Sequence, residues 1–327
     1  MARTPRFARL LPIVALLPAL AFAGDSLSLV PPDAVSVGVA NIAQFRNSPL
    51  AGKLFAQADR MTVDGEAAKL LAETGLKPAE DIDVVTFALS PKEGDATSGE
   101  ALVLVEGRFD PDRIGAAMVA RGAVRKSAAA GVWYILPNEH QGEHGSQNGA
   151  VAFLRKGLLV AGTEASVIET LGYARNGGSS FLAAGALAPE ISRVDPKASA
   201  WMIVDVPRMT RLKKEPAWQG DNDHPAQGLV QSMRRVSTVA LWTTEGGDEL
   251  SFGVLAVSGD AETRQLLEDA ARGMLATWRL AASEKDPQLV NVIRGFAVKQ
   301  DGNGVSLTGT ITGETLRKFT ERHKQGL

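Results

Sequence analysis

The chain has 327 residues, 45% of them apolar and 22% charged, with no cysteine and a formal net charge of -2. That composition excludes extended disorder, a disulfide scaffold and a cysteine nucleophile. It also lacks the dense Lys/Arg cluster that phosphate neutralisation requires, so nucleic acid is not an expected partner.

Arg3, Arg6 and Arg9 precede the apolar run Leu10–Ala23, which closes on Ala21-Phe22-Ala23. A basic start, an apolar stretch and a small-x-small ending form a secretory signal peptide over residues 1–23, cut between Ala23 and Gly24. The run contains Pro12 and Pro18 and falls short of the roughly 20 residues of a spanning helix, so no transmembrane span is expected after signal removal. Loss of the three arginines takes Lys+Arg from 35 to 32 against 37 Asp+Glu, a net charge of -5. A periplasmic or secreted location follows as an expectation.

In chain order, Pro31-Pro32-Asp33 reads as a turn and Ala34–Ala40 as a first strand, with Val35, Val37 and Val39 alternating against smaller residues. Asn47-Ser48-Pro49 opens a helix, and a second helical stretch, Glu66–Thr74, stops at Gly75. Val84–Leu89 and Ala101–Val105 form a hairpin around a polar segment. Its second strand leads through Gly107 to Asp110-Pro111, an N-cap residue followed by proline at the first helical position. Ala123–Lys126 pairs with Val132–Leu136, and Val151–Leu154 with Leu158–Ala161; Thr163 caps the next helix. Val194-Asp195-Pro196-Lys197 marks a boundary between units 24–195 and 196–327.

The second unit restarts the pattern. Ala200–Val206 is a strand, Pro207–Lys214 begins a helix, and Val236–Trp242 with Leu250–Val257 form a hairpin that runs into a helix capped by Asp260. Leu266, Ala270, Met274 and Trp278, four apart with Leu267 and Leu275 beside them, predict its buried stripe. Ile293–Val298 and Val305–Ile311 pair around Asp301-Gly302-Asn303-Gly304, and Thr312 caps a closing helix carrying Leu316 and Phe319.

The expected fold is therefore α+β, two tandem repeats of antiparallel sheet with helices. Each has the ferredoxin-like element order strand-helix-strand-strand-helix-strand, plus a trailing hairpin and helix. Val84–Leu89, Ala101–Val105 and Leu250–Val257 are apolar at both parities, so both sheet faces need cover. Helices are expected on one face and the other repeat on the second.

Candidate chemistry is sparse. His140 and His144 share a loop with Glu139 and Glu143, and imidazole plus carboxylate suits a divalent transition metal, which would make a metal-dependent hydrolase. Gly142 and Gly145 oppose the helix on which such a pair is preorganised. Asp221-Asn222-Asp223-His224 is loop chemistry without the ligand ring calcium needs. Asp81 and Asp83 read as solvated carboxylates flanking a strand. Of the five tryptophans, Trp218 sits in a polar neighbourhood and suits surface recognition; the others read as core.

The segments VPPDAVSVGVANIAQFRNSPLAGKL, TGLKPAEDIDVVTFAL and VSLTGTITGETLRKF resemble those of uncharacterised secreted bacterial proteins of a domain-of-unknown-function type. The resemblance implies an envelope location and carries over no functional residue. The expected role is non-enzymatic and without cofactor: binding or assembly in the cell envelope, with an envelope protein or a lipid-like ligand as partner.

Overall fold

The structure is a computed structural model that describes residues 25–46, 71–92, 94–137, 149–212, 235–285 and 287–315. The expected signal peptide with Ala23 and Gly24, the expected helix start at Ser48 and Pro49, and Leu316 and Phe319 of the expected closing helix lie outside the described residues.

The first half supplies β1 (Ser36–Asn41), β2 (Ile82–Lys92), β3 (Asp95–Gly107), β4 (Val124–Ala128), β5 (Gly131–Ile135), β6 (Gly149–Arg155) and β7 (Leu158–Thr163). The second supplies β8 (Ala200–Asp205), β9 (Thr238–Gly246), β10 (Glu249–Val257), β11 (Ala297–Asp301) and β12 (Gly304–Thr312). All join one twelve-stranded sheet in the order β11-β12-β10-β9-β8-β1-β2-β3-β7-β6-β5-β4, and every pairing is antiparallel. Read outward from the centre, β1-β2-β3-β7-β6 matches β8-β9-β10-β12-β11. The two halves are one α+β unit used twice, and β4–β5 is the hairpin peculiar to the first.

The ferredoxin-like order along the chain is laid out as a meander in space. β1 pairs with β2 from Ser36↔Leu89 to Asn41↔Val84, and its other edge takes β8 from Ser36↔Val204 to Ala40↔Ala200. With both edges of β1 paired antiparallel, no parallel crossover arises. The repeats thus meet edge to edge in a shared sheet, not face to face as expected, because backbone pairing satisfies two strand edges at once.

Helices lie on both faces, which also departs from expectation. On the first face, α4 (Glu164–Arg175) and α5 (Phe181–Ala184) bring Val167, Leu171 and Phe181 into one core with Val37, Leu102, Leu104 and Val160 of the first half and Ile203 and Ala240 of the second. The 3₁₀ turn Asp25–Leu29 docks on the same face: Leu27 and Leu29 join this core, and Ser26 Oγ lies 2.8 Å from Thr86 Oγ1. On the second face, α3 (Pro111–Ala120) packs Ile114 and Met118 against Val105, Val151 and Phe153. Asp110 caps it as expected, accepting from the Asp112 and Arg113 amides. Short helices α1 (Ile42–Arg46), α2 (Pro78–Asp81) and α6 (Val206–Leu212) follow or precede strands. In α1, the Asn41 side chain accepts from the Gln44 amide at 3.0 Å, a cap that sequence reading passed over.

The second half covers the second face with α7 (Ala261–Lys285) and α8 (Pro287–Arg294). The expected stripe on α7 is rotated. Leu267, Leu275 and Ala282 are buried, while Leu266 and Trp278 are about half exposed at 50% and 46%. At about 100° per residue Leu266 lies about 100° from Leu267 and about 180° from Leu275, which turns it away from the buried side. Ile293 lies in α8 and not in a strand, its side chain buried with Leu289 and Val290 at helical spacing. No helix among the described residues is long and apolar enough to cross a membrane.

Candidate functional site

The centre of the second face is a trough built from two rows of side chains running across five strands. One row is Phe87, Gly38, Met202, Leu241 and Val254; the other is Val85, Ala40, Ala200, Thr243 and Phe252. Each row crosses β2, β1, β8, β9 and β10, so the trough sits astride the seam where the two repeats join. Its floor is low because Gly38, Ala40 and Ala200 carry little or no side chain, whereas Phe87, Met202 and Phe252 rise on either side. A Cβ on Gly38 would lie 2.9 Å from the Phe87 ring and 3.1 Å from the Trp201 carbonyl, so only glycine lets Phe87 lean across β1.

The walls are fixed from behind. Phe252 meets Phe296 edge to face, with ring centres 5.0 Å apart at 82°, the preferred geometry of aromatic pairs. Beneath the floor, Val37 and Val39 are buried in the first-face core. The cavity measures about 460 Å³, within the range of about 300–1,000 Å³ that holds small ligands. Apart from the Thr243 hydroxyl, its two rows offer aliphatic and aromatic groups, which suits burial of apolar surface.

Glu245 stands two residues beyond Thr243 on the same strand and face, paired across from Leu250. Both carboxylate oxygens are buried without a hydrogen-bond partner, and burial raises its pKa above the ordinary glutamate range. A raised folded-state pKa contributes stability that is full below the unfolded pKa and is lost as pH rises through the folded value. Glu245→Gln is therefore expected to melt at a higher temperature than the native chain at pH 7, with the difference closing as pH falls toward 4. Thermal melts of both proteins across that range check it.

The sequence-predicted metal residues His140, Glu143 and His144 lie outside the described residues, as do Asp221–His224 and Trp218. Among the described residues no group of three or more His, Cys, Asp or Glu is placed to hold a metal ion. Asp83, read as solvated, is ion-paired: Arg46 reaches it at 2.9 Å and Arg108 at 3.7 Å. Trp133 is core as expected, donating to Glu164 at 2.9 Å. Trp201 and Trp242 pack on that core as well. The trough itself was missed. Its one sequence signal is the run of small residues interleaved with valine in β1, which marks a low floor only once the strands beside it are known.

The fold defines the class: an α+β protein built on a duplicated antiparallel sheet. No protein-family model and no curated protein matches the chain. Its described structure is similar to TP0453, a Treponema protein of uncertain function. Crystal form III aligns at 10% identity over 89% of this chain and 96% of that one, TM-score 0.48. Form I aligns at 12% over 89% and 94%, TM-score 0.47. Form IV aligns at 11% over 90% and 95%, TM-score 0.49.

Proposed function

We propose that this chain is a non-enzymatic binding protein of the bacterial cell envelope that holds a lipid-like ligand in the trough over the repeat seam. The observation that carries the reading is the pair of matched apolar rows, with Gly38, Ala40 and Ala200 lowering the floor between Phe87 and Phe252. An extended acyl chain fits such a lining because it asks for buried apolar area and few polar partners. The N-terminal signal pattern and the resemblance to secreted bacterial proteins support delivery to the envelope, where such ligands are abundant.

The test uses delipidated mature protein and the fluorescent polyene fatty acid cis-parinaric acid. Saturable binding is expected, with the probe's emission rising on transfer from water. Met202→Glu, in the middle of one row, is expected to weaken binding at least about tenfold, because the ligand would bury an unpaired carboxylate. Loss of saturable binding in the native chain, or unchanged affinity in a folded Met202→Glu variant, would overturn the reading. Native mass spectrometry of protein purified without delipidation gives a second readout, a ligand-sized mass increment that denaturation releases.

A further inference from the structure

The first face carries a second cavity, of about 790 Å³, between α4, the loop Pro31–Asp33 and the end of the β2–β3 hairpin. Its lining sets three carboxylates, Asp33, Glu100 and Glu169, against the single ammonium of Lys92. Among the described residues none of the three carboxylates is in an ion pair. Glu100 accepts one hydrogen bond, from Thr163 Oγ1 at 3.1 Å, and Glu169 accepts one from the Tyr173 phenol, so both keep free acceptor sites. Arg208 donates to the Asp33 backbone carbonyl at 2.6 Å and lies 4.0 Å from the Asp205 carboxylate.

Ser90 supplies an independent observation. It lines the same cavity, is 8% exposed, and its hydroxyl has no hydrogen-bond partner. A buried hydroxyl left unmade is unfavourable, and one facing a cavity is relieved by whatever enters. Ser90 is paired directly across from Glu100, which places the two Cβ atoms about 5 Å apart, close enough for one donor to reach both. Burial, reinforced by the Glu169 carboxylate, pushes the Tyr173 phenol well above its ordinary range, so it remains neutral, and Tyr173 is part of the lining.

The carboxylates are spread along the lining and not gathered. No three of the described carboxylates are placed to hold a metal ion, so a point charge would satisfy them poorly while an elongated one could reach several. We infer that this cavity binds a small organic dication, with one ammonium received by Ser90 and Glu100 and the other by Glu169 and Asp33 beside the Tyr173 ring. Charge-assisted hydrogen bonds and the aromatic face are the recognised means of holding such groups, and the volume suits a small molecule.

Isothermal titration of 1,4-diaminobutane into the mature chain at low salt tests this. Saturable one-to-one binding is expected, weakened at least about tenfold in Glu169→Gln, whose side chain is exposed and whose fold is not at stake. Ser90→Ala should weaken it severalfold, and 1-aminobutane should bind more weakly than the diamine. Met202→Glu should leave diamine binding unchanged, which separates this cavity from the trough. Absence of saturable heat, equal affinity in the Glu169→Gln variant, or displacement of the diamine by stoichiometric calcium would each overturn the inference.

Discussion

Phe181→Ala is expected to lower the unfolding free energy of the whole molecule by about 3–5 kcal/mol. Phe181 is fully buried at 0% exposure in a short helix of the segment that leads from the first half to the second. Its core includes Leu102, Leu104 and Val160 from one half and Ile203 and Ala240 from the other. A cavity there removes contacts shared by both repeats. Urea denaturation followed by tryptophan fluorescence and by circular dichroism should show one transition, shifted equally in both probes. Two separated transitions, with only one moved, would mean that the halves carry independent cores and that the shared sheet does not couple them.

Gly107→Val is expected to cost about 3 kcal/mol. A Cβ at this position would lie 2.2 Å from the Asp81 carbonyl oxygen, and backbone cannot swing aside as a side chain can. Gly107 donates its amide to the Gly157 carbonyl at 2.9 Å, and Arg108 donates to Asp81 at 2.7 Å. Gly157 itself, at φ +78, would place a Cβ 2.5 Å from the Gly107 carbonyl. Three chain segments therefore cross at a point only glycine permits. Gly172→Ala is the control: it lies inside α4 with nothing within 4 Å of the new methyl, so the helix should tolerate it or gain slightly. Equal melting of Gly107→Val and the native chain would contradict the close approach.

Much of the local structure was legible from residues because its causes are local. Asp110 and Thr163 accept the amide bonds of the helices they cap. Asp260 accepts from both the Thr263 amide and its hydroxyl, 3.2 Å and 2.5 Å away; these bonds, the hydroxyl's first, hold its carboxyl below the ordinary range. Gly75 and Gly302 adopt the positive φ of 67° and 55° that their turns require. The errors arose where a short pattern is ambiguous or drifts. Ile293 belongs to an apolar run that strand and helix share, and the α7 stripe assumed a four-residue period over a helix of 25 residues. Gly107 does end its strand, but its close contact with the Asp81 carbonyl depends on where that distant segment passes.

Neither cavity was visible in the sequence. The rows of the trough draw on residues from position 38 to 254, and nothing in β1 alone says that β8 will be its neighbour. Likewise Ser90, Glu100 and Glu169 are unremarkable polar residues until α4 closes over the hairpin.

By itself, then, the order of residues determined the α+β class, the duplicated sequence of strands and helices, and the caps and turns that begin and end them. Those features answer to backbone hydrogen bonding and side-chain period within a few residues of each other. Tertiary structure alone decided that the two repeats share a sheet by their first strands, that helices cover both faces, and where the trough and the acidic cavity lie, because strand pairing between distant segments is chosen by the joint burial of many side chains and not by any one stretch.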